Sequence, residues 1–148
     1  LHLKKLGPEP LHKKFSFNYF KKYILGKKKA IKETLMDQTF VSGLGNIYVN
    51  EILFFSKIKP TKKTKNLLDE DIKKVIKFTK KVLSKAIKLG GSSIKDFSSD
   101  NGKRGLFQQH FRVYGKKGEK CFTKSCNNNI IKISIANRAS FYCSKCQK

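Results

Sequence analysis

Acidic residues are scarce in this chain: ten Asp and Glu stand against 34 Lys and Arg, a formal charge of +24 over 148 residues. Such an imbalance repels a compact state unless water or a polyanion absorbs it, which makes nucleic acid the first partner class to consider. Arginine is scarcer still, since among the basic residues only Arg104, Arg112 and Arg138 carry a guanidinium. The lysine excess, beside many Asn and Ile, reads as genome-level codon bias, with most lysines scattered over solvated faces. Arginines that persist against such bias mark places where a planar, bidentate fork has a use. No stretch approaches the ~20 apolar residues of a membrane helix, and no charged start leads into an apolar signal core. The chain therefore reads as cytosolic. It lacks an initiator Met, opening at Leu1, and is read as a fragment of something longer. Cysteine is absent before residue 121, and the four present lie between 121 and 146. Pairs at short spacing in a basic, intracellular-looking chain favour metal over disulfides.

A chain of 148 residues with 39% hydrophobic content accommodates one ordinary domain, or a modest domain plus a small metal-stapled module. Residues 1 to 14, with Gly7, Pro8 and Pro10 close together, read as a linker or arriving arm. Apolar spacing from Phe15 to Leu25 (Phe15, Tyr19, Phe20, Tyr23, Ile24) predicts a short helix stopping at Gly26. A second helix is expected over Ala30 to Val41, broken by Gly43-Leu44-Gly45-Asn46, with helix resuming from Ile47 to Phe55 before Lys59-Pro60. The clearest periodicity spans 68 to 89, where Leu68, Ile72, Val75, Ile76, Val82, Leu83, Ala86 and Ile87 line one face. Asp69, Glu70 and Asp71 in its first turn complement the helix dipole, and Gly90-Gly91 closes it. Lys73, Lys77, Lys80, Lys81, Lys85 and Lys88 on the opposite face read as solvated first and DNA-facing second. Residues 90 to 105 form a polar, glycine-rich loop of a length that is usually functional or disordered. Phe107 to Tyr114 alternates loosely toward a strand.

The strongest motif is Cys121-x4-Cys126-x16-Cys143-x2-Cys146. Two short-spaced pairs deliver four thiolates to a tetrahedral Zn(II), and Ile130, Ile131, Ile133 and Ile135 with Phe141 and Tyr142 make the intervening hairpin. A four-thiolate site has no open position, so one structural zinc folds the module without catalysing anything; two disulfides or free thiols are the alternative. Arg138, near the hairpin turn, is placed to fork onto a phosphate, or is simply an exposed turn residue. The Gly43–Asn46 turn admits close backbone approach and presents amide donors at a helix start, which suits an anion such as phosphate. Ordinary helix starts look the same, so this turn alone is weak evidence.

Several segments, taken in order, bear on a family: Leu6-Gly7-Pro8-Glu9-Pro10-Leu11, Ala30-Ile31-Lys32, Leu35-Met36-Asp37-Gln38, Gly43-Leu44-Gly45-Asn46-Ile47-Tyr48 and Glu51-Ile52-Leu53-Phe54. Gly90-Gly91-Ser92-Ser93-Ile94-Lys95-Asp96-Phe97, Val113 to Glu119 and the closing Cys146-Gln147-Lys148 continue the series. Together they resemble bacterial formamidopyrimidine-DNA glycosylase over essentially the whole chain. The resemblance implies a mostly α fold: a helix-two-turn-helix domain (15–112) followed by a small β-hairpin zinc finger (113–148). It implies that Lys32, Asn46 and Arg138 bind phosphates flanking an extruded nucleotide. Ser92, Ser93, Ile94, Lys95 and Asp96 would belong to a cover that reads an oxidised purine such as 8-oxoguanine once it has left the stack. The implied partner is double-stranded DNA carrying an oxidised purine or abasic site, gripped by a bacterial, nucleoid-associated monomer together with its missing N-terminal half.

Two departures stand out. Family members usually space the first cysteine pair as C-x2-C, whereas four residues intervene here, still within the range of zinc sites. The family's nucleophile, an N-terminal Pro amine followed by Glu, has no counterpart, because the nitrogen of Pro8 in Pro8-Glu9 is tied in an amide. No catalytic residue is assigned. The expected role is the DNA-gripping portion of a bifunctional glycosylase and abasic-site lyase, inactive alone. The alternatives are a free-standing noncatalytic zinc-containing DNA-binding module and a ribosome-associated RNA-binding protein.

Overall fold

The computed structural model describes residues 5–89 and 110–148. Ser16 Oγ accepts from the Tyr19 amide and starts α1 (Phe17–Ile24), which ends before Gly26 in a left-handed conformation. After it come α2 (Ile31–Met36), α3 (Asn46–Ser56), a 3₁₀ turn at Thr64–Asn66 and the long α4 (Asp69–Lys88). An antiparallel hairpin, β1 (Ile131–Ile135) and β2 (Arg138–Tyr142), closes the chain, with Ile131 opposite Tyr142 and Ile135 opposite Arg138. The mostly α fold with a terminal hairpin is as expected.

Helix α3 sits at the centre, packed by α4, α2 and β2. It has no exposed face, burying Tyr48 through Phe54 and Ser56. Around it a single apolar cluster runs from Phe15 to Ala86. Phe40 is the hub of its aromatic part, with ring centroids of Phe15, Tyr19, Phe20 and Tyr23 at 5.6, 5.6, 4.9 and 4.4 Å. Helix α4 starts where the Leu68 amide donates to Asp71 Oδ2 at 2.9 Å.

Several boundaries differ from the sequence reading. The second helix ends at Met36 and not at Val41, because Asp37 turns extended and its Oδ1 accepts from both the amide and the hydroxyl of Thr39. Local side-chain acceptors of this kind compete with the helical ladder. The turn that follows is held when the Gly43 amide donates to Gln38 Oε1 at 2.8 Å, with Gly43 at φ +91°. The N-cap of α3 is Gly45, and Asn46 is the first helical residue, not a cap. Leu68 and Ile87, expected on the buried face of α4, are both 59% exposed: Leu68 is the cap ahead of the first helical residue, and the buried stripe runs through Ile72, Val75, Thr79, Leu83 and Ala86, leaving Ile87 beside it. No strand covers residues 110–114, and Phe107–Gln109 lie outside the described residues.

The arm carrying Gly7 and Pro8 docks on the turn between α2 and α3: the Gly7 amide donates to the Gln38 carbonyl at 2.8 Å, and the Ser42 amide to the Pro8 carbonyl at 2.9 Å. A Cβ at Gly7 would lie 2.2 Å from the Phe40 carbonyl oxygen, so only glycine fits this approach.

Candidate nucleic-acid interface

Three elements meet at one backbone carbonyl. Ala139, the second residue of β2, presents its oxygen to Lys32 Nζ at 2.9 Å, Asn46 Nδ2 at 3.0 Å and Asn50 Nδ2 at 3.4 Å. Lys32 also donates to the Ser140 hydroxyl. It comes from the first turn of α2, Asn46 and Asn50 from successive turns of α3, and Arg138 is the residue immediately before the carbonyl. The turn preceding Arg138 holds Ala136 and Asn137 at φ +49° and +65°, the signature of a tight two-residue hairpin connection. That turn leaves Arg138 exposed, where it lines a cleft with Lys29, Lys32, Glu33, Met36, Asp37, Ile135 and Ala136.

The three residues that the sequence marked for phosphate are thus brought together: Lys32 and Asn46 on one carbonyl, and Arg138 beside it. Their accessibility differs. Arg138 is exposed, Asn46 half-buried, and Lys32 only 1% exposed. Burial, assisted by the neighbouring Arg138 charge, lowers the Lys32 ammonium to a pKa of about 8. Its charge acts from beneath the surface while Arg138 and Asn46 face outward. A carbonyl oxygen has two lone pairs, so three convergent donors leave hydrogen-bonding capacity beyond what Ala139 alone can use. The cleft sets three cations, Lys29, Lys32 and Arg138, beside two carboxylates, Glu33 and Asp37, a lining of net positive charge that suits an anion such as phosphate.

The cysteine module lies directly behind. Sγ atoms of Cys121, Cys126, Cys143 and Cys146 all fall within 4.8 Å of one another, with Cys121 to Cys146 at 3.8 Å and Cys126 to Cys143 at 3.6 Å. A disulfide needs ~2.0 Å, whereas four thiolates at ~2.3 Å from a tetrahedral zinc stand about 3.8 Å apart. The donor set fits a metal, and the longer first spacing does not prevent the four sulfurs from meeting. The Asn128 amide lowers the pKa of Cys126, while burial pushes the Cys143 thiol up to about 12.

Polar side chains that the sequence reading passed over join this module to the helices. Glu51, 2% exposed, accepts from the Arg112 amide through Oε1 at 2.6 Å and from the Val113 and Tyr114 amides through Oε2, both at 2.9 Å. Gln147 accepts from the Cys143 amide at 2.9 Å and donates to the Ile58 carbonyl at 3.0 Å. For Glu51 the signal is the lack of a polar face on α3, where a charged residue among apolar neighbours has to be buried and partnered; Gln147 carries no such signal. Of the other arginines, Arg112 stacks its guanidinium 3.9 Å from the Phe122 ring centroid. Arg104 and the expected cover residues Ser92, Ser93, Ile94, Lys95 and Asp96 lie outside the described residues. No described helix is long and apolar enough to cross a membrane.

Comparison with known proteins agrees with this arrangement. The formamidopyrimidine-DNA glycosylase H2TH domain matches residues 6–98. The formamidopyrimidine-DNA glycosylase of Rickettsia bellii is 45% identical over 143 residues, 97% of this chain and 52% of that protein. That of Listeria monocytogenes is 40% identical over 146 residues, 99% of this chain and 53% of that one. Among solved structures, the Lactococcus lactis enzyme bound non-covalently to DNA containing an abasic site superposes with a TM-score of 0.83 at 41% identity, covering 98% of this chain and 50% of that one. MutM in complex with DNA containing carbocyclic 8-oxo-G superposes with a TM-score of 0.84 at 42% identity, covering 98% and 52%. The chain spans about half the length of the relatives it matches.

Proposed function

The chain belongs to the formamidopyrimidine-DNA glycosylase family, and from that premise we propose that residues 1–148 are the part of a base-excision-repair enzyme that grips damaged duplex DNA. The observation that carries this reading is the meeting of Lys32 and Asn46 on the Ala139 carbonyl, one residue from the exposed Arg138. Arg138 forks onto one backbone phosphate, Asn46 donates to another oxygen of the same stretch, and Lys32 adds charge from below. Such contacts set register and orientation without reading sequence, as an enzyme that meets its lesion in any context requires. Residues 15–112 form the helical DNA-binding domain, residues 1–14 the linker into it and residues 113–148 the zinc finger. Cys121, Cys126, Cys143 and Cys146 would hold one structural Zn(II), which supplies rigidity to the hairpin and no open coordination position.

In the complete enzyme the reaction removes an oxidised purine and cleaves the abasic strand by β- and δ-elimination, with Ser92 to Asp96 covering the flipped base. The nucleophile comes from outside these residues, since the nitrogen of Pro8 is tied in an amide. The chain acts as a monomer in the bacterial cytoplasm, on nucleoid DNA, together with the half that carries the chemistry. An RNA-binding role on the ribosome is the competing reading. Binding of the purified chain to a duplex bearing a tetrahydrofuran abasic analogue, to the undamaged duplex and to a structured RNA separates them. Preference for the abasic duplex is expected; preference for the RNA overturns the proposal.

A further inference from the structure

The outer edge of β2 is paired by a side chain where a strand would normally lie. Phe141 and Ala139 have the same parity along β2, so the Phe141 N–H and the Ala139 carbonyl both point away from β1, flanking the buried Ser140. An edge strand with two such groups needs a donor and an acceptor about one peptide apart. Asn50 of α3 supplies both. Its Oδ1 accepts from the Phe141 amide at 2.7 Å, and its Nδ2 donates to the Asn46 carbonyl at 2.9 Å and reaches the Ala139 carbonyl at 3.4 Å. The side chain is 1% exposed, so no water substitutes for these partners. A carboxamide carries a donor and an acceptor side by side, which lets Asn50 act as one peptide group of a third strand.

We propose that Asn50 is a positioning residue: its carboxamide ties the edge of β2 to the first turn of α3 and so sets the offset between Arg138 and Asn46 that spans the DNA backbone. Asn46 lies one turn before Asn50 on the same helix face, and Arg138 lies one residue before the carbonyl that Asn50 holds, so both move if this tie is cut. The inference rests on the proposed DNA-backbone reading. Gln147 is the natural comparison. It is equally buried and docks the same module on the helical core, yet it shares no partner with Asn46 or Ala139.

The test is the affinity of the whole chain for a duplex carrying a tetrahydrofuran abasic analogue, by fluorescence anisotropy across a series of KCl concentrations. Asn50→Leu keeps volume and removes both hydrogen-bonding functions. We expect it to bind roughly tenfold more weakly and with a salt slope shallower by about one unit, although no charge is removed. Gln147→Leu is expected to lower the melting temperature and keep the wild-type slope. Helical circular dichroism and the cobalt–thiolate absorption of the metal-substituted chain report that each variant is folded, and Asn50→Ala is read in the same way if the Leu variant does not fold. An Asn50 variant with the wild-type slope, or a Gln147 variant that loses slope equally, overturns the inference. A wild-type chain whose affinity ignores salt sinks the DNA-backbone reading itself, and is distinguished from those outcomes by the wild-type measurement alone.

Discussion

The helices bury a continuous apolar cluster from Phe15 to Ala86, whereas the cysteine module buries Val113, Ile130, Phe141 and its cysteines against two phenylalanines of α3, Phe54 and the partly buried Phe55. The first region holds itself together by removing hydrocarbon from water. The second has too little hydrocarbon to do so and relies on groups of other kinds: four sulfurs placed to hold a cation within, and the polar side chains of Asn50, Glu51 and Gln147 at its border. A module of this sort takes its shape from its anchors, which suits a hairpin that has to present Arg138 at a fixed distance from α3.

Removing the metal is the sharpest way to break the comparison. Structural zinc contributes about 10–16 kcal/mol in small domains, so a chelator should disorder residues 113–148 while α1 to α4 remain helical. Residue-resolved amide spectra before and after chelation check this, and a hairpin still ordered without metal would contradict it. The reverse break is Phe40→Ala, which empties the centre of the aromatic cluster and should cost about 3–5 kcal/mol in urea unfolding monitored by helical circular dichroism. A loss below about 1 kcal/mol would mean that the cluster is not what holds the helices.

The border is probed by Glu51→Gln. One of the carboxamide's two positions must turn an N–H toward backbone N–H donors, and the expected loss is about 1–3 kcal/mol. The substitution also changes the pH profile. Burial raises the Glu51 carboxyl above its ordinary value despite the opposing pull of the Tyr114, Arg112 and Val113 amides. A carboxyl raised in the folded state contributes stability that is fully present below its unfolded pKa and is lost as pH rises through its folded one. Stability of the wild type should therefore fall as pH rises from about 4, and the Gln variant should lack that component. Parallel pH profiles would refute it.

Much of this was legible in the sequence because it rests on local regularities. Cysteine spacing marked the metal site, the acids at 69–71 marked the start of α4, and periodicity located α1 and α4 to within two residues. What escaped were effects of the partner. The shortening of α2 comes from Asp37 meeting Thr39, and the exposure of Leu68 and Ile87 from their places at the cap and beside the buried stripe of α4, neither of which periodicity alone resolves. Asn50 and Glu51 find their partners at Ala139–Phe141 and at Arg112–Tyr114, far along the chain, and no local pattern encodes such pairings. The phosphate triad was assigned from the family resemblance; Lys32, Asn46 and Arg138 are spread over more than a hundred positions, and only the fold shows them meeting.

The smallest expected effect carries the central claim, that α3 and the hairpin tip grip one stretch of DNA backbone. Arg138→Ala leaves every buried contact in place, so its folding should match the wild type. Its affinity for abasic and undamaged duplexes should fall by similar factors, and the slope of log affinity against log salt should become shallower by about one unit. An unchanged slope would mean that Arg138 touches no phosphate, and the account of this face as a DNA grip would fail.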